Sequence, residues 1–365
     1  MSRPTQAIID LEALRSNYRL ADSLAPQSQS IAVVKANAYG HGAVPCAKAL
    51  EPIVPAFAVA SIDEAIELRE GGIRKPILLL EGPFSFGEVQ IASEHEFWLM
   101  IENHNHLAFI EQCEHKKLIC KPLKCWLKMD SGMHRLGFMP FEIAAIYQKL
   151  KSTSIVHDEI VVATHFATAD VEGDAFVKEQ IDCFNEAISG LGCLTSLCNS
   201  AGVMAWPQAH GSWNRPGFML YGASPFELPQ HNDKTLQSVM TLQSKVISVR
   251  NVKKGEAVGY GKTWIAQRDS RIATVTVGYG DGYPRHAKNG TPILVNNQRC
   301  KLAGRVSMDM ITVDVTDVGS VNIGDDVICW GKDLPINEVA HYSGTIGYEL
   351  MTRMPLRPSR IYINA

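Results

Sequence analysis

The chain has 365 residues, 46% of them hydrophobic and 20% charged, an ordinary globular composition with room for one large domain and a smaller one. A formal net charge of -3, with no sustained Lys/Arg run, gives no electrostatic footprint for nucleic acid or an anionic membrane, so small-molecule chemistry is the expectation. The N-terminus lacks the apolar core of a signal peptide and no apolar run reaches the length of a membrane span, which reads as a cytoplasmic chain with no membrane partner; nine scattered cysteines without a C-x-x-C pair read as reduced and mostly buried, not as a metal site.

In chain order, "TQAIIDL" is a short strand candidate ahead of a helix starting near Asp10. Eight apolar runs then alternate with helical patterns: Ile31–Ala36, Ala56–Ala60, Pro76–Leu80, Glu96–Met100, Leu123–Met129, Glu159–Phe166, Leu194–Asn199 and Trp213–Gly222. Between them, "SIDEAIELREGG" opens on a capping-box pattern, Ser61 to Glu64, and "DAFVKEQIDCFNEAISGLG" carries apolar residues at helical spacing with a glycine stop at Gly190. "ENHNHL" resembles a metal clip, but His104 and His106 stand two apart and do not share a helix face, so both read as solvated surface histidines. Eight βα units predict a closed (β/α)8 TIM barrel over residues 1–232, with a doubly wound open sheet as the alternative. From 233 to 365 the alternating runs "SKVISV", "RIATVTVGYG", "MITVDVTDV" and "DDVICWG" predict a C-terminal, mostly-β domain, with which residues 1–9 could also pair.

A barrel gathers its chemistry at the C-terminal ends of its strands. Those ends carry Lys35 and Tyr39 after the first run, Lys128 and Arg135 around the fifth, His165 at the sixth, Asn199 and Ser200 at the seventh, and Arg215, Gly217 and Phe218 at the eighth. So many cations on one mouth predict an anionic ligand or further anionic groups. The turns "NSAG" and "RPG" lie where barrels bind phosphate through backbone N–H groups. Lysine plus phosphate cup points to pyridoxal 5'-phosphate (PLP), only somewhat ahead of a phosphosugar aldolase, which also uses a barrel lysine.

The motifs "AVVKANAYGHG", "KMDSGMHRLGF", "CNSAG", "NRPGFMLYG", "VGYGKTW", "GYGDGYPR", "GRVSMD" and "GTIGYEL" resemble, in order and spacing, those of bacterial alanine racemase from about residue 30 to residue 350. The resemblance implies a homodimeric enzyme that interconverts L-alanine and D-alanine on PLP. It implies that Lys35 holds PLP and acts as base on one face of Cα, and that Tyr260 is the base on the other; racemisation needs two such groups flanking a planar carbon. It further implies that Arg215 faces the PLP ring nitrogen with His165 as its hydrogen-bond partner. Ser200, Gly217, Phe218, Tyr348 and Tyr39 match the phosphate group's surroundings, and Asn199 the polar shell. Arg135 and the Met308 backbone match the substrate-carboxylate site, while Tyr279 and Asp309 line the substrate side. Lys128 matches a lysine carbamylated in many members. Tyr260, Tyr279, Met308 and Asp309 lie in the β domain, and the family brings them to the barrel of the partner protomer. One departure is Ser307, where many members have cysteine.

A barrel-type PLP decarboxylase is a competing expectation, weakened by arginine at the ring nitrogen because decarboxylation profits from a strong electron sink. A single-barrel PLP carrier is weakened by the β domain itself. A racemase of broader specificity, including serine, and the choice between making and degrading D-alanine stay open at the level of sequence.

Overall fold

The protein is described here by a computed structural model covering residues 3–226 and 231–365. Ala32–Val33, Phe57–Val59, Ile77–Leu79, Phe97–Ile101, Cys125–Lys128, Val161–Ala163 and Leu194–Ser196 form one parallel sheet in chain order. The eighth strand, Trp213–Asn214, pairs in parallel with Gln29–Ser30. The N–H groups of Ile31 and Val33 donate to the carbonyls of Asn214 and Pro216, and the Arg215 N–H donates to Cys198. These bonds join the eighth strand to the first and seventh, so the sheet closes into a (β/α)8 barrel. Its strands are short apolar runs because they are buried on both faces: Phe57, Ala58, Val59, Ile77, Leu78, Leu79, Val161 and Val162 have no exposed surface.

The first helix, Leu11–Leu24, starts where the Asp10 carboxylate accepts the N–H groups of Glu12 and Ala13. The helix Ile62–Glu70 stops at Gly71, but its expected capping box does not form: Ser61 makes no side-chain cap, and Glu64 instead accepts from the N–H of Ala60 at 2.7 Å and of Ala36 at 2.6 Å. Ala175–Ala187 ends before the expected stop at Gly190. The two histidines of "ENHNHL" also separate: His104 is exposed beside Glu142, whereas His106 is buried and held by Asn103, so only the first is a surface histidine. It is the helix His104–Lys116 itself that turns them to different sides.

In the second sheet, Ser270–Val275, Ile311–Asp314, Gln298–Leu302, Pro292–Val295, Asp326–Trp330 and Met240–Val252 follow one another, and the first pairs again with the last, giving a closed antiparallel β unit. Gln6–Asp10 runs antiparallel to Met240–Val252 and parallel to Ser359–Ile363, so both ends of the chain extend this sheet; residues 1 and 2 lie outside the described residues. The C-terminal strand also reaches the barrel mouth, where Arg360 Nε donates to the Gly40 carbonyl at 2.8 Å and the Tyr362 hydroxyl to the His41 carbonyl at 3.1 Å.

Candidate active site

Lys35 ends the first barrel strand, and the four residues after it are unusual. Ala36, Asn37, Ala38 and Tyr39 all have φ between 49° and 56°, a left-handed turn built without glycine. Such residues cost about 1–2 kcal/mol each relative to right-handed helix, so the surroundings must impose the turn. Glu64 holds the Ala36 N–H, the Asn37 side chain accepts the Ala43 N–H at 2.7 Å, and His41 Nδ1 lies 3.0 and 2.9 Å from the carbonyls of Ala38 and Tyr39. The turn places Lys35 and Tyr39 in one cavity.

That cavity, of about 520 Å³, is lined by eleven of the residues singled out from sequence: Lys35, Tyr39, Lys128, Arg135, His165, Asn199, Ser200, Arg215, Gly217, Phe218 and Tyr348. Seven of the barrel strands, all but the second, contribute to it directly or through the turns that follow them, together with the helix Gly347–Thr352 of the C-terminal unit. Arg135 rides on the turn after Lys128, which Asp130 shapes by accepting the N–H groups of Gly132 and His134. Gly137, at φ 117°, closes the turn where a Cβ would stand 2.7 Å from the Asp130 nitrogen.

Ser200 begins the short helix Ser200–Ala205, capped by the Asn199 side chain. Its Oγ accepts the N–H of Gly217 at 2.9 Å and of Met219 at 3.2 Å, tying the seventh and eighth strand ends together. A Cβ on Gly217 would stand 2.6 Å from the Tyr39 hydroxyl, so the glycine keeps a polar hollow open. The Phe218 and Tyr348 rings stack with centroids 3.5 Å apart.

Arg215 is buried, and its four terminal N–H bonds go to the carbonyls of Ser196, Leu197 and Thr164 and to the Ser196 hydroxyl. The expected hydrogen bond to His165 is therefore not formed; carbonyls at neighbouring strand ends take the donors instead. The Nε–H is the one guanidinium donor left without a protein partner among the described residues. Burial lowers the guanidinium to about 10, which still leaves it charged at neutral pH. Burial, then the Arg215 charge, pushes His165 well below its ordinary value, so its imidazole is neutral. Burial lowers Lys35 also, partly countered by Glu81, which favours the unprotonated, nucleophilic amine.

Tyr260, Tyr279, Met308 and Asp309 do not line this cavity. Tyr260 follows the strand Ala257–Val258, 72% exposed, and Tyr279 and Met308 are exposed as well. Tyr279 and Met308 do share one surface: the Tyr279 N–H donates to the Ser307 carbonyl and the Gly280 N–H to that of Met308. The Asp309 carboxylate is taken by Arg357 of its own chain, while the buried Asp281 carboxylate receives Arg3 at 2.7 Å and Arg357 at 3.2 Å. The Ser307 hydroxyl donates to the Met310 carbonyl at 2.7 Å, closing the turn that carries Met308.

Sequence reading missed Glu81 and Glu102. Glu81 lines the cavity, and Glu102 pairs with Lys128 at 3.0 Å. Both follow barrel strands, Ile77–Leu79 and Phe97–Ile101, so the same strand-end rule applied to the third and fourth runs would have found them. They are the anionic groups that the crowd of cations required.

Comparison with known proteins adds the following. Residues 9–225 match the model of the alanine racemase N-terminal domain and residues 239–362 that of the C-terminal domain. The chain is 49% identical over 365 residues to an alanine racemase of Chromohalobacter salexigens, covering 100% of this chain and 99% of that one. It is 50% identical over 362 residues to a catabolic alanine racemase of Pseudomonas putida, covering 99% of each. Among solved structures, the biosynthetic alanine racemase of Pseudomonas aeruginosa superposes with a TM-score of 0.94 at 44% identity over 99% of each chain.

Proposed function

The chain belongs to the alanine racemase family, and on that premise we propose that it interconverts L-alanine and D-alanine on PLP, with Lys35 and Tyr260 as the two bases. The observation that carries this reading is the cavity that unites Lys35, Arg215, Ser200, Gly217 and Tyr348. The donor set there fits PLP. Gly217 leaves a hollow beside the Tyr39 hydroxyl, the Ser200 hydroxyl and nearby backbone N–H groups suit a phosphate, and the free Arg215 Nε–H suits a ring nitrogen that accepts a hydrogen bond.

PLP supplies, when bound, an electron-withdrawing system that lets the substrate's Cα release its proton. Lys35 would hold the cofactor and, as a free amine, would take or return that proton on one face of Cα, aided by the burial that favours its neutral form. Arg215, as a permanent cation held by three carbonyls, disfavours a proton on the ring nitrogen, so the proton returns to Cα in preference to other atoms. Arg135 binds the substrate carboxylate. Tyr348, with Tyr279 and the loop that carries it, would narrow the entrance and leave room for little beyond a methyl side chain.

Tyr260 serves the opposite face from a second protomer, together with Tyr279, Asp309 and the Met308 N–H. A homodimer with shared sites is supported by the exposure of Tyr260, Tyr279 and Met308 in the single chain. We assign residues 1–232, less the strand Gln6–Asp10, to the cofactor-binding unit and 233–365 to the unit that donates to the partner. No described helix is long and apolar enough to cross a membrane. The nine free thiols support a reducing compartment, which we take to be the cytoplasm.

Optical rotation of L-alanine and, separately, L-serine solutions with the PLP-loaded protein tests the reading. Rotation is expected to decay to zero rapidly with alanine and far more slowly with serine, and Lys35→Ala and Tyr260→Phe are expected to abolish the decay. A protein that binds PLP and leaves the rotation unchanged would overturn it.

A further inference from the structure

Lys128 Nζ lies 3.0 Å from Glu102 Oε2, with the two side chains 13% and 3% exposed. Lys128 closes the strand Cys125–Lys128, and Glu102 follows Phe97–Ile101, its parallel neighbour, so adjacent ends of a rigid sheet build this ion pair. The charges that face it are Arg135 and Arg215 toward Lys128, and Arg135 and Glu81 toward Glu102. On the functional reading above, we propose that Glu102 is a positioning residue that fixes Lys128 as an ammonium, so that the anion beside Arg135 is a carboxylate of the chain and not a carbamate on Lys128.

The chemistry of a carbamate shows why. An unprotonated Nζ attacks the carbon of CO2, an N–C bond forms, one C=O electron pair moves to oxygen, and a proton leaves nitrogen for solvent. The residue passes from cation to anion. Glu102 opposes both ends of that change. It stabilises the protonated Nζ, which has no lone pair to offer, and its own charge would stand at ion-pair distance from the product in a site shielded from water. Burial already lowers the Lys128 ammonium, and Glu102 is the largest influence holding the proton on against burial, Arg215 and Arg135; removing it leaves only groups that favour the neutral amine, and the path to the carbamate opens.

Carbon-13 NMR of the PLP-loaded protein in 13C-bicarbonate tests this, beside Glu102→Gln, Glu102→Asp and the Glu102→Gln/Lys128→Ala double variant. Wild type and Glu102→Asp are expected to show no carbamate resonance and a racemisation rate indifferent to bicarbonate. Glu102→Gln is expected to gain a resonance that the double variant lacks, and a rate that rises about threefold or more with bicarbonate. A carbamate resonance in wild type overturns the proposal, whether or not the variants fold. So does a folded Glu102→Gln with no resonance and no bicarbonate response. The resonance is read without turnover, so failure to racemise alanine would overturn the proposed function and leave this result intact.

Discussion

Ser200 Oγ accepts the Gly217 N–H at 2.9 Å, one hydroxyl fastening the two turns on which the phosphate-binding reading depends. Because it accepts from Met219 as well, its own O–H proton is free for the cavity. Ser200→Ala would leave two buried amide donors unpaired, a cost of about 1–3 kcal/mol. The expected outcome is a PLP dissociation constant raised about tenfold or more, with Lys35 still able to capture the cofactor. Absorbance titration gives the affinity and a thermal melt of the apoprotein the stability; unchanged PLP affinity would place the phosphate elsewhere.

Gly217→Ala acts on the same hollow from the opposite side. Its methyl would meet the Tyr39 hydroxyl at 2.6 Å, and Tyr39 is wedged against Tyr221 with ring centroids 4.7 Å apart, so it cannot swing away freely. The single substitution is expected to lower melting temperature and PLP affinity together. Adding Tyr39→Phe removes the clashing oxygen and should recover stability but not affinity, a split that separates packing from phosphate binding.

His41 makes folding sensitive to pH. It has no exposed surface, and because both partners of Nδ1 are carbonyls, that nitrogen carries the proton and props the left-handed turn after Lys35. Burial pushes its pKa down to about 4. An unfolded chain takes up this proton below about pH 6.5, whereas the folded one refuses it until about pH 4, so the stability from His41 is whole above 6.5 and is lost as pH falls between them. The loss is on the order of 3 kcal/mol. His165, His106 and His210 are lowered by burial and add with the same sign. His41→Asn should reduce the pH dependence of unfolding by about one proton between pH 6 and 5, measured by urea denaturation.

Barrel and β unit were legible because their strands announce themselves by different rules. Val161 and Val162 sit in an unbroken apolar run buried on both faces, whereas the strand from Met240 alternates buried and half-buried residues. The strand-end rule then located Lys35, Lys128, His165, Ser200 and Arg215. What local pattern does not encode is which long-range partner a charged side chain chooses. Glu64 reads as a helix cap three residues after Ser61, yet it holds Ala36, 28 residues earlier, because the left-handed turn presents an N–H to it. The His165 to Arg215 bond failed for the same reason: carbonyls of Thr164 and Ser196 at adjacent strand ends occupy the guanidinium, a consequence of barrel closure. Glu102 stands just past the fourth apolar run and ahead of the helix His104–Lys116, and nothing in local pattern shows that its carboxylate turns to Lys128 on the neighbouring strand.

Separation of Lys35 from Tyr260 gives a test of shared sites that needs no structure of the assembly. Lys35→Ala and Tyr260→Phe should each be inactive as pure dimers. Mixed, unfolded and refolded together, or co-expressed, they form hybrid dimers in which one site combines both defects and the other combines an intact Lys35 with an intact Tyr260. Random pairing makes half of the dimers hybrids, and each hybrid has one working site of two, so the mixture should recover roughly a quarter of wild-type activity. If each site took both bases from one chain, every site in the mixture would carry a defect and the recovery would be nil. Dilution then separates the remaining cases: recovered activity that falls with protein concentration, and returns on reconcentration, ties it to dimer contacts made by the exposed face bearing Tyr260, Tyr279 and Met308.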